Sequence, residues 1–122
     1  MKYMLLSYSD ERAWLSLSDT EQQQIMVESM PHVEHLLASK KFLGGAPLLP
    51  ASTAATVRLR DGKPLVTDGP FAETREQLGG YALIEAKDME EAIRMAGGFL
   101  GPRSPATIEI RAVMELKGIP TH

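Results

Sequence analysis

The sequence contains no cysteine. Disulfides, thiolate metal sites and cysteine nucleophiles are thereby excluded, and nothing marks an oxidising compartment. Aromatic residues are scarce at 6%, with a single tryptophan. No stretch approaches the ~18 apolar residues of a membrane-spanning helix. The opening run MKYMLLSYSDER has only a short apolar stretch that ends in polar residues. It lacks the longer apolar region of a secretory signal, so the cytoplasm is the expected compartment, with no membrane partner. A basic excess is also missing. The net charge is −3, so direct contact with DNA or RNA is not expected.

What is present is ordinary for a soluble domain: 122 residues, 43% hydrophobic and 24% charged. That length suits one domain spanning residues 1–122, which buries about two thirds of its unfolded surface. No repeat, low-complexity segment or linker interrupts it.

Hydrophobic periodicity gives the order of elements. Tyr3 to Tyr8 reads as a strand, with Tyr3 and Leu5 on one face and Met4, Leu6 and Tyr8 on the other. Ser18-Asp19-Thr20-Glu21 is a capping box that opens a helix reaching about Lys41. Met26, Ser29, Met30, Val33, Leu36 and Leu37 form its expected inner stripe, with a kink at Pro31. Phe42 to Pro50 holds a short strand loosened by glycine and proline. Thr56–Arg60 and Lys63–Thr67 read as a hairpin turned by Asp61-Gly62. Thr74 to Gln77 is expected to form one helical turn. Gly80 to Glu85 is a strand, Asp88 caps a helix over Met89–Ala96, and Gly97-Gly98 ends it. Thr107 to Leu116 is the last strand, with Ile108, Ile110, Ala112, Met114 and Leu116 toward the helices. The order β-α-β, hairpin, β-α-β predicts an α+β fold: a ferredoxin-like split βαβ with an inserted β-hairpin. Helices cover one sheet face. The other face mixes aromatics, aliphatics and a few charges and is ill-suited to open water, so a homodimer stacked through it is expected, with a partly polar cleft between the sheets.

The stretch TDGPFAE (67–73) combines an acid, two backbone specialists and an aromatic. Asp68 can accept from N–H groups one or two residues on, Gly69 permits positive φ, Pro70 fixes the next φ, and Phe71 can anchor the loop. That is a turn first. Asp68 alone has a plausible second role, as an acid, base or ligand acceptor. His32 lies on the margin of the apolar stripe of the first long helix and His35 on its wet side, so His32 is the better proton carrier; the plainer reading is a satisfied boundary residue. Glu28, His32 and His35 share an arc and could hold a metal, but a fourth ligand is lacking and a solvated face explains them as well; no metal or cofactor is expected. Glu109 and Arg111 share a strand face, as would Arg58 on the hairpin. Such an arginine can grip a carboxylate or phosphate, or form an ion pair across a dimer.

Val66 to Ala96 (VTDGPFAETREQLGGYALIEAKDMEEAIRMA) resembles the YCII-related family, in its DGPF-motif subgroup. Gly44-Gly45, Thr56-Val57-Arg58, Asp61-Gly62 and Ile108–Arg111 extend the match over nearly the whole chain. The resemblance implies a dimeric α+β barrel. It also implies an accessory role beside extracytoplasmic-function sigma factors, with a protein partner in transcriptional regulation. In the family's enzyme-like branch a His–Asp pair works in the cleft, and either His32 or His35 could stand for its first-helix histidine. Two functions follow. One is a homodimer that binds a small molecule or protein, with Arg111, Glu109, Arg58 and Phe71 as contacts. The other is a cofactor-independent isomerase or hydrolase of a small organic acid, with His32 and Asp68 moving protons and Arg111 positioning substrate.

Overall fold

The computed structural model describes residues 1–121. In chain order the elements are β1 (Lys2–Ser9), α1 (Glu11–Leu15), α2 (Asp19–Ala38), β2 (Phe42–Pro47), a 3-10 turn (Ala51–Thr53), β3 (Ala55–Arg60), β4 (Lys63–Asp68), β5 (Gln77–Glu85), α3 (Met89–Gly98) and β6 (Thr107–Ala112). The main sheet has the order β2-β5-β1-β6, and each neighbouring pair is antiparallel. The crossover β1-α2-β2 therefore straddles β5, and β5-α3-β6 straddles β1, which makes two interleaved split βαβ units. Strands β3 and β4 pair only with each other and form a separate two-stranded arm.

Alternation along the strands decides what the helices cover. Tyr3 and Leu5 of β1 and Ala82 and Ile84 of β5 join Leu36 of α2 and Ala92, Met95 and Ala96 of α3 in one buried cluster. Phe42, Phe99, Ile108 and Ile110 pack around it. The last strand thus turns its isoleucines inward as its sequence requires, but it stops at Ala112. Its neighbour β1 begins at Lys2, whose carbonyl takes the Val113 N–H. Beyond that point no strand remains to pair with, so Met114 and Leu116 are exposed coil.

Other expectations need correction. Of the expected α2 stripe, Leu36 is buried and Ser29 and Val33 are half-buried, joined by Ile25 and His32, whereas Met26, Met30 and Leu37 stay largely exposed. His32 bonds the Met95 carbonyl of α3, which suits an inward position for this side of the helix. Helix α3 continues through Gly97-Gly98 and ends at Phe99. Thr74 to Gln77 forms no helical turn; the Gln77 side chain donates to the Ala72 and Thr74 carbonyls and β5 starts there. The short α1, capped by Asp10, was not foreseen.

The capping box of α2 is complete: Glu21 N–H donates to Ser18 Oγ at 3.1 Å and Ser18 N–H to Glu21 Oε1 at 3.2 Å. The Ser18 N–H, then its hydroxyl, hold the Glu21 carboxyl below its ordinary value, outweighing slight desolvation. A lowered folded value adds stability above the unfolded value and loses it as pH falls through the folded one. Glu21→Gln should therefore lower the urea midpoint at pH 7 and flatten its decline from about pH 5 to pH 3.

Gly44 and Gly45 differ in kind. A Cβ at Gly45 would sit 2.5 Å from the Tyr81 carbonyl and 2.9 Å from Ala82 Cα, while one at Gly44 meets nothing within 4 Å. Gly45→Ala should force β2 away from β5 and cost more than about 2 kcal/mol in urea unfolding, with Gly44→Ala within about 1 kcal/mol of the parent.

Candidate functional site

The arm is built from its turn outward. Asp61 and Gly62 both take positive φ, 53° and 77°, as a two-residue turn of the right twist requires. Directly paired residues share a face. Val57 pairs with Val66 and Leu59 with Pro64, so one face is apolar except for Asp68 at its foot, opposite Ala55. Thr56 with Thr67, Arg58 with Leu65 and Arg60 with Lys63 make the other face, which is basic toward its tip. The apolar face has no cover, and Leu59 is 75% exposed. A lone two-stranded hairpin is marginal in water.

At the foot of the arm, Gly69 N–H donates to the Ala54 carbonyl at 2.7 Å and Thr56 Oγ1 donates to the Gly69 carbonyl at 2.8 Å. Gly69 has φ +89°. The backbone of Gly69, rather than the Asp68 carboxylate, therefore makes this turn. Asp68 is exposed, opposite Ala55 on the apolar face, and its carboxylate bonds nothing among the described residues. Phe71 does not anchor the loop either, being 78% exposed. It forms one wall of a cavity of about 640 Å³ between the arm and the sheet, with Tyr8, Leu49, Pro70, Gln77 and Leu78.

The sheet face away from the helices carries two full rows of side chains. One runs Gly44-Leu83-Met4-Arg111 and the next Ala46-Tyr81-Leu6-Glu109. Tyr8 lies one step further along β1 and donates its hydroxyl to Glu109 Oε1 at 3.3 Å. Glu109 and Arg111 thus share the open face, at the β6 edge. Arg58 is remote from them on the basic face of the arm. Tyr8 escaped sequence reasoning as a site residue, although its position two residues after Leu6 put it on this face.

His32 belongs to the opposite side of the sheet. Its Nε2 stands 2.7 Å from the Met95 carbonyl, and its ring meets Phe99 edge-on at 4.8 Å. A carbonyl only accepts, so Nε2 carries the proton and the ring is a tether between α2 and α3. The structure does not bring His32 to Asp68, Glu109 or Arg111. Glu28 pairs with Arg103 at 4.0 Å. Among the described residues no group of three His, Cys, Asp or Glu is placed to hold a metal, and no helix is long and apolar enough to cross a membrane.

A wetter recess near α1 contains Asp10, Arg12, Glu73 and Arg75. Desolvation pushes the Asp10 carboxyl up, but the Arg12 and Ala13 N–H groups and the Arg75 guanidinium, 3.4 Å away, together hold it below its ordinary value. These bonds cap α1, and the recess reads as helix capping.

Residues 1–117 match the YCII-related domain. An uncharacterised protein of Rhizobium meliloti (strain 1021) is 36% identical over 96 residues, covering 79% of this chain and 77% of that protein.

Asp68 and Gly69 should separate cleanly in mutation. Asp68→Ala should leave unfolding free energy within about 0.5 kcal/mol of the parent. Gly69→Ala, forcing a Cβ into positive φ, should cost about 1–2 kcal/mol. A large loss for Asp68→Ala in urea unfolding would contradict the assignment of the turn to Gly69.

Proposed function

The chain belongs to the YCII-related domain family, and on that footing we propose that it works as a homodimeric binding protein, a dimeric α+β barrel closed by a second copy. The observation that carries this is surface area. The chain exposes 8859 Å². A folded monomer of 13.4 kDa exposes about 6,500 Å². The excess of roughly 2,400 Å² matches one side of a large homodimer interface. Exposed apolar surface that a neighbouring chain would cover includes Tyr81 on the open sheet, beside the half-buried Met4 and Leu6, and Val57, Leu59 and Val66 on the arm.

Two such sheets stacked face to face enclose a cleft. Arg111 and the Tyr8–Glu109 pair stand at its edge, and Phe71 lines its approach. An arginine there supplies paired N–H donors to the carboxylate or phosphate of a small ligand. Binding is favoured over proton transfer because His32, the candidate base, is bonded to a carbonyl in the helix layer. Asp68-Gly69-Pro70-Phe71 supports membership of the DGPF subgroup and, with it, an accessory role in transcriptional signalling. The basic face of the arm, with Arg58, Arg60 and Lys63, would remain free for a protein partner.

Sedimentation equilibrium tests the assembly. The parent should sediment as a dimer at micromolar concentration. Tyr81→Glu, at an open-face position 42% exposed in one chain, should shift it to monomer with its helix content retained. A parent that sediments as a monomer would overturn the proposal.

A further inference from the structure

The helix side of the sheet is not fully closed. The first half of α2 stands off the strands, and two adjoining cavities of about 290 Å³ and 300 Å³ lie beneath it. They share Ser7, Pro47, Gly79, Ser104 and Ala106, so they form one continuous cleft. Its floor is nearly free of side chains. A Cβ added at Gly79 meets nothing closer than Ser9 Oγ at 3.8 Å. Its walls are apolar: Trp14, Ile25 and Met26 at one end, Val33, Phe42 and Phe99 at the other.

We infer that this cleft is a second binding site, one per chain, for a neutral, mainly apolar small molecule carrying a single hydrogen-bonding group such as a hydroxyl, carbonyl or amine N–H. The chemistry of the walls selects that class. No lysine, arginine or histidine lines either cavity, so nothing there offsets the charge of a carboxylate or phosphate. The one charged group, Glu11, repels anions, and one of its oxygens already accepts from the Ala51 N–H at 2.7 Å. The hydroxyls of Ser7 and Ser9 line the floor and bond nothing among the described residues, which leaves donors and acceptors for one polar end of a ligand. The combined space is of the size that small-molecule sites take, roughly 300 Å³ upward. Tyr81 borders one of the two cavities, but Met4, Leu6, Glu109 and Arg111 of the open face line neither, so the site is distinct from the inter-sheet cleft.

Trp14, the sole tryptophan, reports on the site directly. The probe is N-phenyl-1-naphthylamine, a neutral aromatic with one N–H, and its control is the same molecule bearing an 8-sulfonate. The neutral probe should quench Trp14 emission saturably with one site per chain, and at least tenfold more tightly than the sulfonate. Gly79→Leu fills the floor and should weaken the neutral probe tenfold or more while leaving the sedimentation mass unchanged. Should Gly79→Leu reduce the folded fraction, Ile25→Phe on the facing wall gives the same reading. Met4→Glu, on the open face and lining neither cavity, should leave probe binding intact. The site is overturned if quenching does not saturate, if the sulfonate binds as tightly, if filling the cleft changes nothing, or if Met4→Glu abolishes binding. The last result would move the probe to the inter-sheet cleft, and the sedimentation mass reports separately on the dimer.

Discussion

One layer of helices covers one face of the main sheet, and the rest of the structure follows from that. Tyr3, Leu5, Ala82 and Ile84 are buried against Leu36, Ala92, Met95 and Ala96, and these contacts hold the two βαβ units together. Burial of such side chains contributes about 1.5–3 kcal/mol each for the larger ones. The cluster is small for the length of chain, and several of its members are alanines. A chain that invests its helices on one face leaves the other face, and any inserted arm, dependent on something else.

The His32 tether shows how closely the helix layer is set. One ring bonds the last turn of α3 and stacks edge-on to Phe99, and a Cβ at Gly98 would collide with it. Gly98 thus serves close approach between helices, whereas a Cβ at Gly97 would meet nothing within 4 Å. On the same helix Met30 and Leu37 face outward, and Met26, about half exposed, borders the gap beneath it.

Much of the fold was legible from local chemistry. The capping box at Ser18, the Asp61-Gly62 turn, the Asp88 cap and the alternation of Ile108 and Ile110 are all satisfied within a few residues of chain, so sequence alone carries them. What was not legible depends on partners distant in sequence. The end of β6 is set by where β1 begins. The inward position of His32 on α2 is matched by a carbonyl 63 positions away. The turn at TDGPFAE was legible, but its cause was misassigned: a carboxylate that can bond its own loop leaves Asp68 free when Gly69 already provides the conformation. Of the candidate site residues, the structure sets Glu109 beside Arg111 on the open face, puts Phe71 at a cavity near Tyr8, and separates His32 and Arg58 from them.

The positions of Gly79 and Ser7 connect the packing to binding. In a sheet whose only purpose was to carry helices, these floor positions would hold branched side chains, as Ile84 and Ile110 do further along. Each missing side chain forgoes dispersion contacts that α2 could have made. A void of this size next to a small core lowers stability. Occupants of the two sides of the sheet would offset different deficits. A second copy would cover the open face and the arm, and a neutral guest would fill the gap under α2. Because β1 and β5 separate the two, each deficit can be met without the other, and the stability of the chain would then rise with both protein concentration and guest concentration.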